Sequence, residues 1–226
     1  MKFKFQLLML CFAFVALTSC KQASGEKADV SDAGDVAEQQ GVDYAVDVSN
    51  SVLNWEGSKP TATHTGTINL NEGSISVSEG KVTGGSFTID MNSIVVTDLE
   101  GNQKAYLESH LKGDNEDKAD DFFNVKKYPT ATFEITKVTD LVNDPDATHL
   151  VYGNLSLKET VKEVGFKANV QMQDGKIMVN TPAFTIDRTQ WGIKYGSPSF
   201  FENLKDKAIS NDIGLTINLT ATAPAG

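Results

Sequence analysis

Residues 164–180 read VGFKANVQMQDGKIMVN. Val164, Phe166, Ala168, Val170 and Met172 alternate with Gly165, Lys167, Asn169 and Gln171. That period of two gives an extended chain one apolar and one polar face. Gln173-Asp174-Gly175-Lys176 then interrupts the run, and an Asp-Gly pair tolerates the positive φ angles of a tight hairpin. With IMVN returning at 177–180, the stretch predicts an antiparallel hairpin of half-buried strands.

The same grammar extends in both directions from Tyr44 to the C-terminus. Ile213, Leu215, Ile217 and Leu219 alternate with Gly214, Thr216, Asn218 and Thr220. Strands are predicted near 44–48, 51–58, 63–70, 74–79, 82–91, 131–139, 149–157, 162–173, 176–189 and 209–222, with Asn71-Glu72-Gly73 and Glu79-Gly80 as punctuation. Eight or more antiparallel strands favour closure into a barrel, which removes the edges an open sheet exposes. A two-sheet sandwich fits the alternation as well. Two regions depart from it: Gln103 to Lys112 carries Leu107 and Leu111 four residues apart and predicts a short helix, and Ser199 to Lys207 predicts another turn or two. The expected class is all-β, an eight-stranded antiparallel barrel over residues 44–224 with one or two short capping helices.

Ahead of the barrel, MKFKFQLLMLCFAFVALTSC has a basic start and an apolar run from Leu7 to Leu17, the pattern of an export signal over residues 1–19. The run is too short to span a bilayer, which takes roughly 20 apolar residues. Leu17-Thr18-Ser19-Cys20 resembles the bacterial lipobox, which implies an acylated Cys20 as membrane anchor. Lys21, where inner-membrane retention uses aspartate, resembles the outer-membrane sorting pattern, facing the periplasm or the cell surface. Residues 20–43 are polar, acidic and without apolar periodicity, and predict a disordered tether after the lipidated cysteine. Cys11 leaves with the signal, so the folded domain has no disulfide.

The formal net charge is −10, and loss of Lys2 and Lys4 makes the exported chain more acidic still. No cluster of Lys and Arg offers the counterion release that nucleic-acid binding needs. His64, His110 and His149 stand far apart and form no metal spacing. The acidic run at 114–121 lacks the glycine and spaced glutamate of a calcium loop and reads as solvated. No nucleophile elbow or glycine-rich phosphate cradle occurs, so neither catalysis nor a cofactor is expected.

The chain resembles the YceI-like family of exported, lipocalin-like proteins from about Val46 to Ala221. The resemblance is carried by SVLNWEGSK (51–59), THTGTINL (63–70), GGSFTIDMNSIVVTDL (84–99), ESHLKG (108–113), DFFNVKKYPTATFEITKV (121–138), GNLSLK (153–158) and FTIDRTQWGIKYGS (184–197). Glu159, where the family has glycine, and the insertion GDNEDKAD at 113–120 depart from the pattern. What the resemblance implies is a barrel whose apolar interior holds an isoprenoid chain or a comparable long amphiphile, without catalysis.

The residues alone are compatible with two interiors, since eight strands are just wide enough to be filled by side chains or to hold one ligand. A filled barrel would make the protein a structural or interaction lipoprotein. For a hollow one, the apolar candidates for the lining are Trp55, Phe87, Ile89, Phe133, Ile135, Phe166 and Phe184, each on an alternating face. Arg188 is the only arginine of the chain. Counting by two from Phe184 turns it inward, where a charge requires a partner. That partner is either an inward carboxylate such as Asp90 or Glu134, or a ligand head group held by the guanidinium fork. Trp191 and Tyr195 follow as a rim to the mouth or as core closure.

Overall fold

The computed structural model describes residues 23–224, so the signal segment and Cys20 lie outside the described residues. The hairpin that opens the sequence reading forms as expected. Strand β9 (Thr160–Gln173) pairs antiparallel with β10 (Lys176–Asn180), Gln173 opposite Lys176. Asp174 and Gly175 both take positive φ, 52° and 71°, the twist-matched two-residue turn.

Around this hairpin the remaining strands are β1 (Glu26–Lys27), β2 (Asp29–Asp32), β3 (Val42–Val46), β4 (Val52–Lys59), β5 (Ala62–Ser78), β6 (Lys81–Val96), β7 (Thr130–Asp140), β8 (His149–Leu157), β11 (Phe184–Asp187) and β12 (Asp212–Thr222). Each of β4 to β10 pairs with its sequence neighbour, and β12 pairs with both β10 and β4. Eight strands therefore form a closed ring. β3 bridges β5 and β12 at one end, and β11 continues β10 along β12 at the other. The fold is all-β, as the alternation indicated, and closed rather than a two-sheet sandwich.

Three elements differ from the sequence reading. Asn71-Glu72-Gly73 is a bulged bend inside the single 17-residue β5 and not a turn, with register shifts between Thr67 and Asn69 and between Leu70 and Glu72. Such bulges bend a strand without ending it. Next, the segment 176–189 is two strands, because Thr181-Pro182-Ala183 interrupts it and proline has no N–H for the ladder. Finally, the segment 199–207 supplies only a 3-10 turn at Lys205–Lys207. The main cap is helix α1 (Gly101–Lys112), followed by a 3-10 turn at Glu116–Asp121. These lie at the end of the ring where β6 finishes and β7 begins, which we term the upper end.

The expected disordered tether is also corrected. Its residues 26–32 form strands β1 and β2, which pair with β11 and β9, and Val42 already belongs to β3, which pairs with β5. Between those strands Asn154 clamps it: the buried Asn154 amide accepts from Gly34 N–H at 2.9 Å and donates to Gly34 C=O at 2.8 Å. Composition hides such a strap because it is held by backbone hydrogen bonds and carries few apolar side chains of its own. Asn154→Ala removes both bonds while the strap still covers the site. A loss of about 1–2 kcal/mol in urea unfolding is expected, with faster amide exchange around Gly34.

Candidate functional site

Inside the ring the inward faces do not meet across the axis. They enclose a cavity of about 240 Å³, room by volume for about eight water molecules. It runs from Leu111, Phe122 and Phe123 under the upper cap to Val82, Val138 and Leu219 towards the other end. All seven apolar candidates, Trp55, Phe87, Ile89, Phe133, Ile135, Phe166 and Phe184, stand on its wall. Polar atoms reach it from few residues, chiefly Thr181, Arg188 and Ser210.

The phenylalanines form a chain around the wall. Phe87 and Phe133 lie 6.3 Å apart by ring centroids, Phe133 and Phe166 5.6 Å, and Phe166 and Phe184 4.7 Å in a parallel stack. Phe133 on β7 reaches Phe166 on β9 by lying across β8 at Gly153, where a Cβ would fall 2.3 Å from its ring. The glycine of GNLSLK thus has a packing reason.

Arg188 does point inward, but to neither proposed partner. Asp90 and Glu134 alternate with Ile89, Phe133 and Ile135, which places them on the outer face. The guanidinium instead donates to three backbone carbonyls: Nε to Ser210 at 3.0 Å, one terminal nitrogen to Ile193 at 2.7 Å and the other to Ile209 at 3.1 Å. Burial lowers its pKa from the usual arginine range to about 10, with Asp187 opposing, so it stays charged at neutral pH. The loop from 188 to 211 is folded around this cation.

Trp191 and Tyr195 do not line the cavity. Trp191 is buried, its indole N–H donating to Leu155 C=O at 3.1 Å on β8. It belongs to the buried core without lining the cavity, because the 3-10 turn at Arg188–Trp191 and the turn at Gly192 leave the strand's alternation. Tyr195 is 39% exposed and packs edge-on against His110, 5.0 Å between centroids, and against Phe122. It buttresses the cap from behind. Of the lining residues outside the sequence candidates, Leu111, Phe122 and Phe123 sit on or beside the capping elements, where no period of two marks the inward side.

Each histidine meets a different carboxylate: His64 with Asp98 at 2.9 Å, His110 with Asp121 at 2.9 Å and His149 with Asp140 at 3.3 Å. Glu159 ties a hairpin to the cap. Its Oε1 accepts from Tyr128 Oη at 2.5 Å and from Lys127 Nζ at 2.9 Å, which holds its carboxyl below the usual glutamate range. Its departure from the family glycine costs little, since Lys158, not Glu159, takes the positive φ of that turn. A carboxyl with a lowered folded pKa stabilises above its unfolded value of 4.5 and loses that contribution as pH falls below it. Glu159→Gln should therefore fray faster than the native chain at residues 126–129 at pH 7, with the difference shrinking as pH falls below 4.5, read by amide exchange.

An eight-strand ring around a long apolar interior defines a lipocalin-like barrel, and among the described residues no group of three or more His, Cys, Asp and Glu side chains is gathered to hold a metal ion. The YceI-like domain matches residues 44–221, and the chain belongs to that family. Among solved structures, it is similar to BcnA of Burkholderia cenocepacia at 18% identity, with a TM-score of 0.59 over 78% of this chain and 99% of that one. It is also similar to a polyisoprenoid binding domain from Saccharophagus degradans implicated in plant cell wall breakdown. There the identity is 19% and the TM-score 0.56, over 81% and 99% of the two chains. No curated protein matches the sequence.

Proposed function

We propose that this protein binds a long-chain amphiphile, an isoprenoid lipid being the best fit, as a non-catalytic carrier or reservoir of the bacterial envelope. The observation that carries this reading is the cavity itself. An unfilled void of its volume costs on the order of 5 kcal/mol, a large part of the roughly 5–15 kcal/mol by which a domain is stable. A hydrocarbon tail offsets that cost, each buried methylene contributing about 0.8 kcal/mol. The filled-barrel alternative has no such space to account for. Belonging to the YceI-like family and resembling a polyisoprenoid binding domain support the choice of ligand.

The anchor is part of the same proposal: acylation of Cys20 holds the barrel at a membrane, on the reading of Lys21 the outer one. Incorporation of labelled palmitate that disappears in Cys20→Ser tests it. For the ligand, organic extraction and native mass spectrometry of the purified protein should find one long-chain lipid per barrel. Protein that carries none, and takes up no polyprenol from phosphatidylcholine vesicles, would overturn the reading.

A further inference from the structure

The ring is not paired along its whole height. β10 leaves β9 after Asn180, opposite Asn169, and Pro182 follows without an N–H to offer. Above that point the upper half of β9 and all of β11 no longer pair with each other. Within the eight-strand ring, β9 there keeps only β8 as a partner, and β11 pairs with β12. A slot therefore opens in the wall beside Phe166 and Phe184, and the N-terminal segment fills it. β1 pairs parallel with β11, Glu26 opposite Phe184, and Ala28 N–H donates to Thr185 C=O at 2.8 Å. β2 pairs antiparallel with β9, Val30 opposite Val164 and Ser31 opposite Glu163.

This closing segment lies outside residues 44–221, the part matched to the family. It is held weakly. Glu26, Lys27, Asp29, Ser31 and Asp32 are exposed, and only Ala28 and Val30 turn toward the core. Its ion pairs, Asp32 with Lys162 at 2.8 Å, Glu26 with Lys167 at 3.3 Å and Lys27 with Asp212 at 3.5 Å, each join at least one largely exposed side chain. Such pairs hold little in water. Immediately after it comes the Gly34 clamp on buried Asn154, a fixed point about which the segment can swing. Inside the slot Phe166 and Phe184 stack across it, ring against ring, with Ala28 between the two strands that carry them. A small residue is what leaves room for that stack.

We propose that residues 26–32 are a gate strand closing a lateral portal to the cavity, so that a lipid tail enters and leaves sideways between β9 and β11 when the strand lifts. The proposal rests on the lipid-binding reading above. It gives the strap a task that a mere spacer would not have, and its short two-sided pairing is the low-stability kind of element from which moving parts are drawn.

The test uses the full-length chain with Cys11→Ser and Cys20→Ser, carrying Ser31→Cys and Glu163→Cys. These two positions are direct register partners across β2 and β9, and the Cα separation of roughly 4.5–5.5 Å in such a pair lies within the range a disulfide spans. Transfer of a fluorescent polyprenol from phosphatidylcholine vesicles is followed in the oxidised and reduced states. Oxidation should slow transfer at least tenfold, and reduction restore it. In a second variant, Ala28→Pro removes the N–H bonded to Thr185 and should accelerate transfer at least threefold. Equal rates in the oxidised and reduced protein, or no acceleration in Ala28→Pro, would overturn the gate and leave lipid binding intact. No uptake in any state would overturn lipid binding, and the gate with it.

Discussion

Val151→Trp is expected to yield a folded barrel that no longer retains lipid. Val151 sits on β8 between Val138 on β7 and Phe166 on β9, is 8% exposed and lines the cavity beside Val138. An indole there projects into the space a tail would occupy. Overpacking a full core costs about 1–3 kcal/mol, but here the added ring meets free volume and gains apolar contacts, so the melting temperature should move by only a few degrees. Displacing three methylenes of a tail would cost the complex about 2.4 kcal/mol, more than a tenfold loss of affinity. Native mass spectrometry should accordingly show occupancy falling at least tenfold. Retention at native occupancy in the folded variant would mean that lipid lies elsewhere, and the cavity would lose its assigned role.

The wall of that cavity was legible because alternation is a backbone property. In a closed ring the inward set of each strand has only one place to go, so Phe87, Ile89, Phe133, Ile135, Phe166 and Phe184 could be assigned a face without knowing their neighbours. The period of two fails where the chain stops being a strand. Counting by two carries correctly as far as Ile186 and Arg188 and assigns no face to Trp191 and Tyr195, because a 3-10 turn at Arg188–Trp191 ends the strand's alternation. Leu111, Phe122 and Phe123 are silent for the same reason. Whether the interior is hollow is a matter of summed volumes across eight strands, which no local pattern reports.

The strap was missed for a different reason. Its outer side meets water and its inner side contributes only Ala28 and Val30 to the core, so composition makes it look like a linker. Its order comes from what it finds on the barrel: the unpaired edges of β9 and β11 and the amide of Asn154. The proline that breaks the predicted strand 176–189 is the one sequence signal that points there, since an interrupted partner leaves an edge in need of cover.

Replacing Arg188 with methionine should cost about 3–5 kcal/mol of stability, far more than its effect on a neutral lipid. The side chain is 2% exposed and donates to Ile193, Ile209 and Ser210 carbonyls, which belong to two ends of one loop. Methionine fills a similar volume but leaves three acceptors without donors, each worth about 1–3 kcal/mol when buried and partly relieved where water can enter near the upper end. Arg188→Lys should fall between, because an ammonium lacks the planar fork that spans three acceptors. Urea midpoints and protease cleavage within 193–210 measure both. The same variants separate structural work from ligand recognition. A guanidinium carries five N–H donors, and three are committed to the loop, so a head group on the cavity side would find the remaining two. If native protein binds a polyprenyl phosphate no better than the matching polyprenol, those two donors select nothing and Arg188 is a loop staple alone. If it prefers the phosphate at least tenfold, and Arg188→Lys loses the preference while keeping the polyprenol, the cation serves both ends at once. A loop organised around the group that reads the ligand would then couple binding to the order of the upper end.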